Sequence, residues 1–209
     1  MDPHALFVPG WGAPATLYEP GLPSGWRALE PPSFGGSLTD YRRWLGLELH
    51  RFGRSPLGGH SMGGALAILA AADSPELVER LVLVSPAGLP LEKPIWASVL
   101  EFVRQTARGL YPRDVAAKAA GAVARAPRAA LALAQEVRGL DLRAECARVR
   151  EAGIPTLVVG CSSDTLVTCD RARALASAVG AEYSELSLGG GHMWMLEGGA
   201  SFSGVFSAP

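Results

Sequence analysis

Ser61 sits in Gly59-His60-Ser61-Met62-Gly63-Gly64, with a glycine two residues away on either side, and the chain then enters an apolar, alanine-rich stretch over 65–72. This is the sequence form of a nucleophile elbow, a strand-to-helix turn too tight for side chains at its flanking positions. Such a turn strains the backbone at the serine and lifts its hydroxyl clear of the sheet. The helix N-terminus beneath it favours developing negative charge. The chemistry would be attack of the serine oxygen on an acyl carbonyl. Glycine makes up 25 of the 209 residues, so two glycines around one serine are not diagnostic by themselves. A plain glycine-rich turn before a helix would read the same way, and the rest of the chain has to supply a base and an acid.

A serine hydroxyl is a weak nucleophile until a base takes its proton. The chain has four histidines, at 4, 50, 60 and 192. His192 follows Gly189-Gly190-Gly191, a run that can bend back over a neighbouring loop, and the residues before it, 181–186, read as a strand. His4 lies in the N-terminal arm and His50 falls in an amphipathic helix predicted over 38–52. His60 is expected to point away from the Ser61 side chain. Surface or packing roles suit these three.

An acid is needed to orient the base. Residues 154–160 read as a short buried strand, and Cys161-Ser162-Ser163-Asp164 leave its C-terminal end. Ligand sites of open α/β sheets lie off such ends. Asp164 is therefore the candidate acid, against the simpler role of a turn or capping residue. Asp170 competes, but it stands where it would cap a helix over 171–179. Ser61, Asp164 and His192 follow one another as serine, acid, histidine, the chain order that goes with this elbow.

These residues must be carried by strands ending on one side of a sheet. Candidate strands are 154–160 and 181–186, with the strand entering the elbow shortened to Leu57 and Gly58 because Pro56 would cost a ladder hydrogen bond. Residues 89–152 differ in texture, with helical segments at 95–108, 113–125, 128–137 and 142–151. Prolines 94, 112 and 127 sit near helix starts. The last segment is expected to belong to the core. After His192, Glu197-Gly198-Gly199 interrupts any helix and 201–209 has little helical character.

Composition narrows the class. A chain of this length can form one domain, and 48% apolar residues suit a packed core. A formal net charge of −1 gives no reason to expect nucleic acid. No secretory signal or membrane-spanning run is visible. Three cysteines (146, 161 and 169) lack metal-ligand spacing, which predicts a reduced cytoplasmic protein with no metal site.

With these motifs in order, the sequence resembles the α/β-hydrolase superfamily. The matching segments are Phe7-Val8-Pro9-Gly10-Trp11-Gly12, the elbow, Gly160 to Val167, and Gly191-His192. Residues 81–87 resemble the strand after the elbow helix, and 32–37 the loop before the second helix. The resemblance implies a mostly parallel sheet flanked by helices, trimmed at its N-terminal edge, with a core of 1–88 and 153–209 and a helical cap insertion over 89–152. The trimmed edge could leave a strand exposed for dimer pairing. The resemblance also implies Ser61 as nucleophile, His192 as base, Asp164 as its partner, and the backbone N–H groups of Trp11 and Met62 as the oxyanion hole. No cofactor is expected. Relatives that are dehalogenases or epoxide hydrolases attack with an aspartate at the elbow, so Ser61 disfavours those chemistries.

The expected activity is hydrolysis of a small-molecule carboxylic ester. Gly10-Trp11-Gly12 and a small basic cap are similar to the biotin-pathway carboxylesterases, which cleave the methyl ester of a pimeloyl group carried on an acyl-carrier protein. Residues 90–151 hold 11 Lys and Arg against 7 Asp and Glu, and 102–128 hold Arg104, Arg108, Arg113, Lys118, Arg125 and Arg128 with Asp114 as the one acid. A solvated helix face accounts for this charge; a docking surface for an acidic carrier protein or an anionic substrate is the sharper reading. Thioesterase, carbon–carbon hydrolase and cofactor-free perhydrolase chemistries would use the same residues. A binding protein that keeps the fold with little turnover is the rival outside enzymes.

Overall fold

The computed structural model describes residues 4–32, 36–91, 117, 120–121, 123–196 and 199–206. Its centre is a sheet whose four interior strands are largely buried on both faces, the arrangement that parallel strands covered on each side have. The strands are β1 (Ala5–Val8), β2 (Trp26–Ala28), β3 (Ser55–His60), β4 (Val78–Val84), β5 (Thr156–Cys161) and β6 (Glu182–Leu186), in the spatial order β2-β1-β3-β4-β5-β6. Every pairing is parallel.

Side chains alternate between the faces. Leu6, Val8, Leu81, Leu83 and Val158 face one layer, which is built from helices α1 (Leu38–Phe52), α2 (Met62–Asp73), α4 (Arg143–Glu151) and α5 (Cys169–Val179). Leu133 and Val137 of α3 (Pro127–Gly139) join the same cluster. Phe7, Val82, Val84 and Val159 face the other layer. That layer is aromatic and has little helix: Tyr18, Trp194, and Phe202 and Phe206 from α6 (Gly199–Val205) and its end. Phe7 meets Phe202 edge-on, with ring centroids 5.8 Å apart. Burying an aromatic side chain of this size stabilises the fold by roughly 3 kcal/mol.

Several expectations are met and several change. The helix over 38–52 has the bounds read from its periodicity and opens with a capping box between Ser37 and Asp40. The segment before β5 is a core helix, α4, packed on α2 and α5. β3 is longer than the two residues expected. Pro56 is tolerated because the register shifts between Ser55 and Leu57, whose partners are Val78 and Leu81, so the missing N–H falls at an irregularity. Residues 199–205 do form a helix. Its glycines and serines are poor helix formers, and burial of Phe202 and Val205 overrides that preference. Asp170 lies inside the first turn of α5; the N-cap position is Thr168. β1 is an interior strand flanked by β2 and β3, so the edge on that side is β2. Among the described residues, no helix is long and apolar enough to cross a membrane.

Candidate active site

Ser61, Asp164 and His192 meet at the C-terminal ends of β3 and β5 and in the loop after β6. Ser61 joins β3 to α2 with φ 53° and ψ −118°, a conformation that L residues rarely adopt. The turn closes only because its neighbours are glycine. A Cβ at Gly59 would collide with the backbone of Gly63, and one at Gly63 with the carbonyls of Val8 and Pro9. The elbow is held from outside as well: Ser61 N–H donates to Val84 O at 3.0 Å, and Ser61 O accepts from Ala87 N–H at 3.0 Å. The helix that follows is buried from Met62 to Ala71, so it presents a fixed N-terminus beneath the serine.

His192 enters from a short 3₁₀ stretch, Gly191–Leu196. Gly190 and Gly191 take φ of 83° and 58°, which turns the chain so that the imidazole faces the elbow. The stretch is anchored by Trp194, fully buried, whose indole N–H donates to Ser85 Oγ at 3.2 Å. His192 Nε2 lies 2.9 Å from Ser61 Oγ, and His192 Nδ1 lies 2.8 Å from Asp164 Oδ2.

Asp164 is 3% exposed. Its Oδ1 accepts from the backbone N–H groups of Leu166 and Val167, both at 2.9 Å. Burial alone would raise its pKa, but the His192 imidazole and the hydrogen bonds from His192, Val167 and Leu166 outweigh burial and hold the carboxyl below its usual range. The acid and base loops are tied together: Ser162 N–H donates to Leu186 O, Cys161 S–H to Leu188 O, and Ser163 O–H to Gly189 O. Cys161 is thus a buried free thiol with a structural contact.

The expected oxyanion donors sit on either side of the serine. Met62 is the first residue of α2, where an N–H has no partner within the helix. Trp11 follows Gly10 in the turn after β1. Its indole N–H donates to Ala130 O of α3 at 3.1 Å, so the ring ties this loop to the segment between β4 and β5. A second tie is Leu38 N–H, at the start of α1, donating to Glu136 Oε2 at 2.8 Å. Of the basic residues between 102 and 128, Arg125 and Arg128 are exposed near the start of α3. Arg104, Arg108, Arg113 and Lys118 lie outside the described residues. No group of His, Cys, Asp and Glu among the described residues could hold a metal ion.

His60 was expected to have a surface or packing role. It is 1% exposed and hydrogen-bonded through both ring nitrogens, to Tyr18 Oη at 2.8 Å and to the backbone O of His192 at 3.1 Å. One signal was available in the sequence: a histidine at the buried end of an apolar strand must find a partner for each nitrogen.

A parallel sheet with a strained serine between strand and buried helix, and a carboxylate and an imidazole brought in by later loops, defines an α/β protein built around a nucleophile elbow. The sequence profile described as "Alpha/beta hydrolase family" matches residues 5–203, and the chain belongs to that family. No curated protein matches the chain. Solved structures similar to it include a thermophilic esterase (23% identity, TM-score 0.75, 98% of this chain and 88% of that one). A hydrolase from Pseudomonas aeruginosa PA01 is similar at 22% identity and TM-score 0.74, covering 98% and 88%. The enol-lactonase from Burkholderia xenovorans LB400 is similar at 20% identity and TM-score 0.77, covering 99% and 90%. At these identities the likeness establishes the shared fold.

Proposed function

We propose that this chain is a serine esterase working through an acyl-enzyme. The observation that carries the reading is the unbroken line from Asp164 Oδ2 to His192 Nδ1 to His192 Nε2 to Ser61 Oγ, at 2.8 Å and 2.9 Å. Asp164 accepts from Nδ1–H, which leaves Nε2 as the acceptor for the serine proton. Ser61 Oγ attacks the ester carbonyl as its proton passes to Nε2. The tetrahedral oxyanion is met by the backbone N–H groups of Trp11 and Met62, each such donor supplying on the order of 10²–10³ in rate. The imidazolium then protonates the departing alkoxide, leaving Ser61 acylated. Water, activated by the same imidazole, releases the acid. The low pKa of Asp164 keeps the carboxylate charged opposite the cationic intermediate.

In this reading, the part of residues 89–152 that precedes the core helix α4 acts as a cap, with α3 fixed to the core through Trp11 and Glu136. The test is a series of p-nitrophenyl and methyl esters of increasing acyl length, assayed with wild type and Ser61→Ala. The series includes a dicarboxylate half-ester free and on an acyl-carrier protein. Ester turnover that disappears in Ser61→Ala is expected. Preference for the carrier-linked half-ester, weakening as salt rises, would support the finer reading of a carrier-protein substrate docked on basic residues of the cap, Arg125 and Arg128 among them. Absence of turnover on every ester, with tight binding of one of them, would favour a binding protein instead.

A further inference from the structure

Gly10, in the loop expected to bind the oxyanion, and His192, the expected base, are 182 positions apart in sequence, yet two buried side chains connect them. Gly10 N–H donates to Tyr18 Oη at 3.2 Å. Tyr18 Oη is 2.8 Å from His60 Nδ1, and His60 Nε2 is 3.1 Å from the backbone O of His192. The direction of every bond follows from one atom. A carbonyl oxygen only accepts, so His60 Nε2 must carry a proton. In a neutral imidazole Nδ1 is then the acceptor, so the Tyr18 hydroxyl must donate to it. The Tyr18 oxygen is left to accept from Gly10. The chain therefore runs one way, from Gly10 N–H through Tyr18 and His60 to His192 C=O.

His60 is neutral in this arrangement. Burial lowers its pKa to about 3, with the nearby His192 adding to the effect against smaller opposing contributions from Asp164 and the His192 backbone. Neutrality matters for the reaction. The two imidazole rings are 4.7 Å apart, so a charged His60 would oppose the charge that His192 must take up. Packing around the pair is close as well. A Cβ at Gly10 would lie 2.9 Å from His60 Nδ1 and 3.3 Å from Tyr18 Oη.

We infer that Tyr18 and His60 are positioning residues that set the oxyanion loop and the base loop relative to each other through this one-way hydrogen-bond chain. The inference rests on the esterase reading of Ser61 and His192. Neither residue touches the reacting atoms. They act by holding the main chain at Gly10, one residue before the Trp11 N–H, and at His192. A small misplacement of either loop costs rate more than affinity, because the oxyanion contact and the proton transfer are made only in the transition state.

The test compares Tyr18→Phe, His60→Gln and His60→Leu with wild type and Ser61→Ala on p-nitrophenyl acetate, and reads the ring protons of ¹⁵N-histidine-labelled wild type by NMR. His60→Leu removes both bonds and is expected to lower kcat by roughly 10- to 100-fold with KM within about twofold. His60→Gln can put an amide N–H where Nε2 was and is expected to recover about fivefold over the leucine variant. Tyr18→Phe should fall between them. The NMR spectrum should show one histidine holding its proton on Nε2 without titrating between about pH 5 and pH 8. A His60 that carries its proton on Nδ1, or titrates in that range, overturns the proposal even if no variant folds. So does a His60→Leu enzyme within about twofold of wild-type kcat, or a glutamine variant no better than leucine. If Ser61→Ala turns over as fast as wild type, the esterase reading fails and takes the proposal with it. Loss in Ser61→Ala with full activity in His60→Leu removes the relay alone.

Discussion

Asp164→Asn separates the charge of the acid from its shape. In the native site, Oδ1 accepts two backbone N–H groups at 2.9 Å and Oδ2 faces His192 Nδ1 at 2.8 Å. An asparagine must keep its carbonyl on the side of Leu166 and Val167, since turning it would point an NH₂ at two N–H donors. Its NH₂ then faces Nδ1, which can only accept. His192 is driven to carry its proton on Nε2, and in that tautomer it cannot take a proton from Ser61. Loss of the correct tautomer in a Ser-His-Asp triad lowers kcat by about 10⁴-fold. That corresponds to about 5 kcal/mol of transition-state stabilisation. Because both backbone bonds survive, the fold should hold, and circular dichroism should match wild type. The assay is kcat on p-nitrophenyl acetate near neutral pH, with active-site titration to correct for trace wild type. A variant that keeps more than about a tenth of wild-type kcat would refute the reasoning. It would mean that Asp164 does not set the tautomer of His192.

Acid stability follows from His60. Its folded pKa of about 3 lies below the unfolded value, so the unfolded chain gains a proton below about pH 6.5 that the folded chain does not. Stability should fall by about 1.4 kcal/mol per pH unit from about pH 6.5 towards pH 3 on this account, and urea titrations of His60→Gln should show a slope shallower by one proton. Asp164 acts in a lower window: its stabilisation is present above its unfolded pKa of about 4 and is lost as pH falls through its depressed folded value. Gly63→Ala should abolish soluble folded protein or unwind the elbow, because its Cβ would overlap the Val8 carbonyl; a Tm within a few degrees of wild type, on a near-native fold, would contradict that. Phe202→Ala should cost about 3–5 kcal/mol in chemical unfolding, since it removes the ring against which Phe7, Trp194 and Phe206 pack.

Much of the candidate site was legible because each residue carries a local signature. Ser61 is marked by glycines that steric contact demands, Asp164 by a buried strand ending just before it, and His192 by the glycines that turn it inward. The parallel sheet flanked by helices followed from the resemblance that these motifs carry. What escaped was set by partners distant in sequence. Pro56 argued against a long β3, and only the shifted pairing with β4 makes room for it. The composition of 199–205 argued against a helix, which forms to bury Phe202 and Val205. Tyr18 belongs to no motif, and His60, though it lies inside the elbow, shows only that a buried imidazole needs partners; which partners they are depends on Gly10 and on the backbone of a residue 132 positions beyond His60.

The account stands on Ser61 being the atom that takes the acyl group. Wild type, Ser61→Ala and His192→Ala would each be treated with a fluorophosphonate and weighed intact by mass spectrometry, with the adduct mapped to a peptide. One adduct per wild-type chain on the peptide containing Ser61, none on Ser61→Ala, and strongly slowed labelling of His192→Ala is the predicted result. Unlabelled wild type, or labelling that persists in Ser61→Ala, would contradict it.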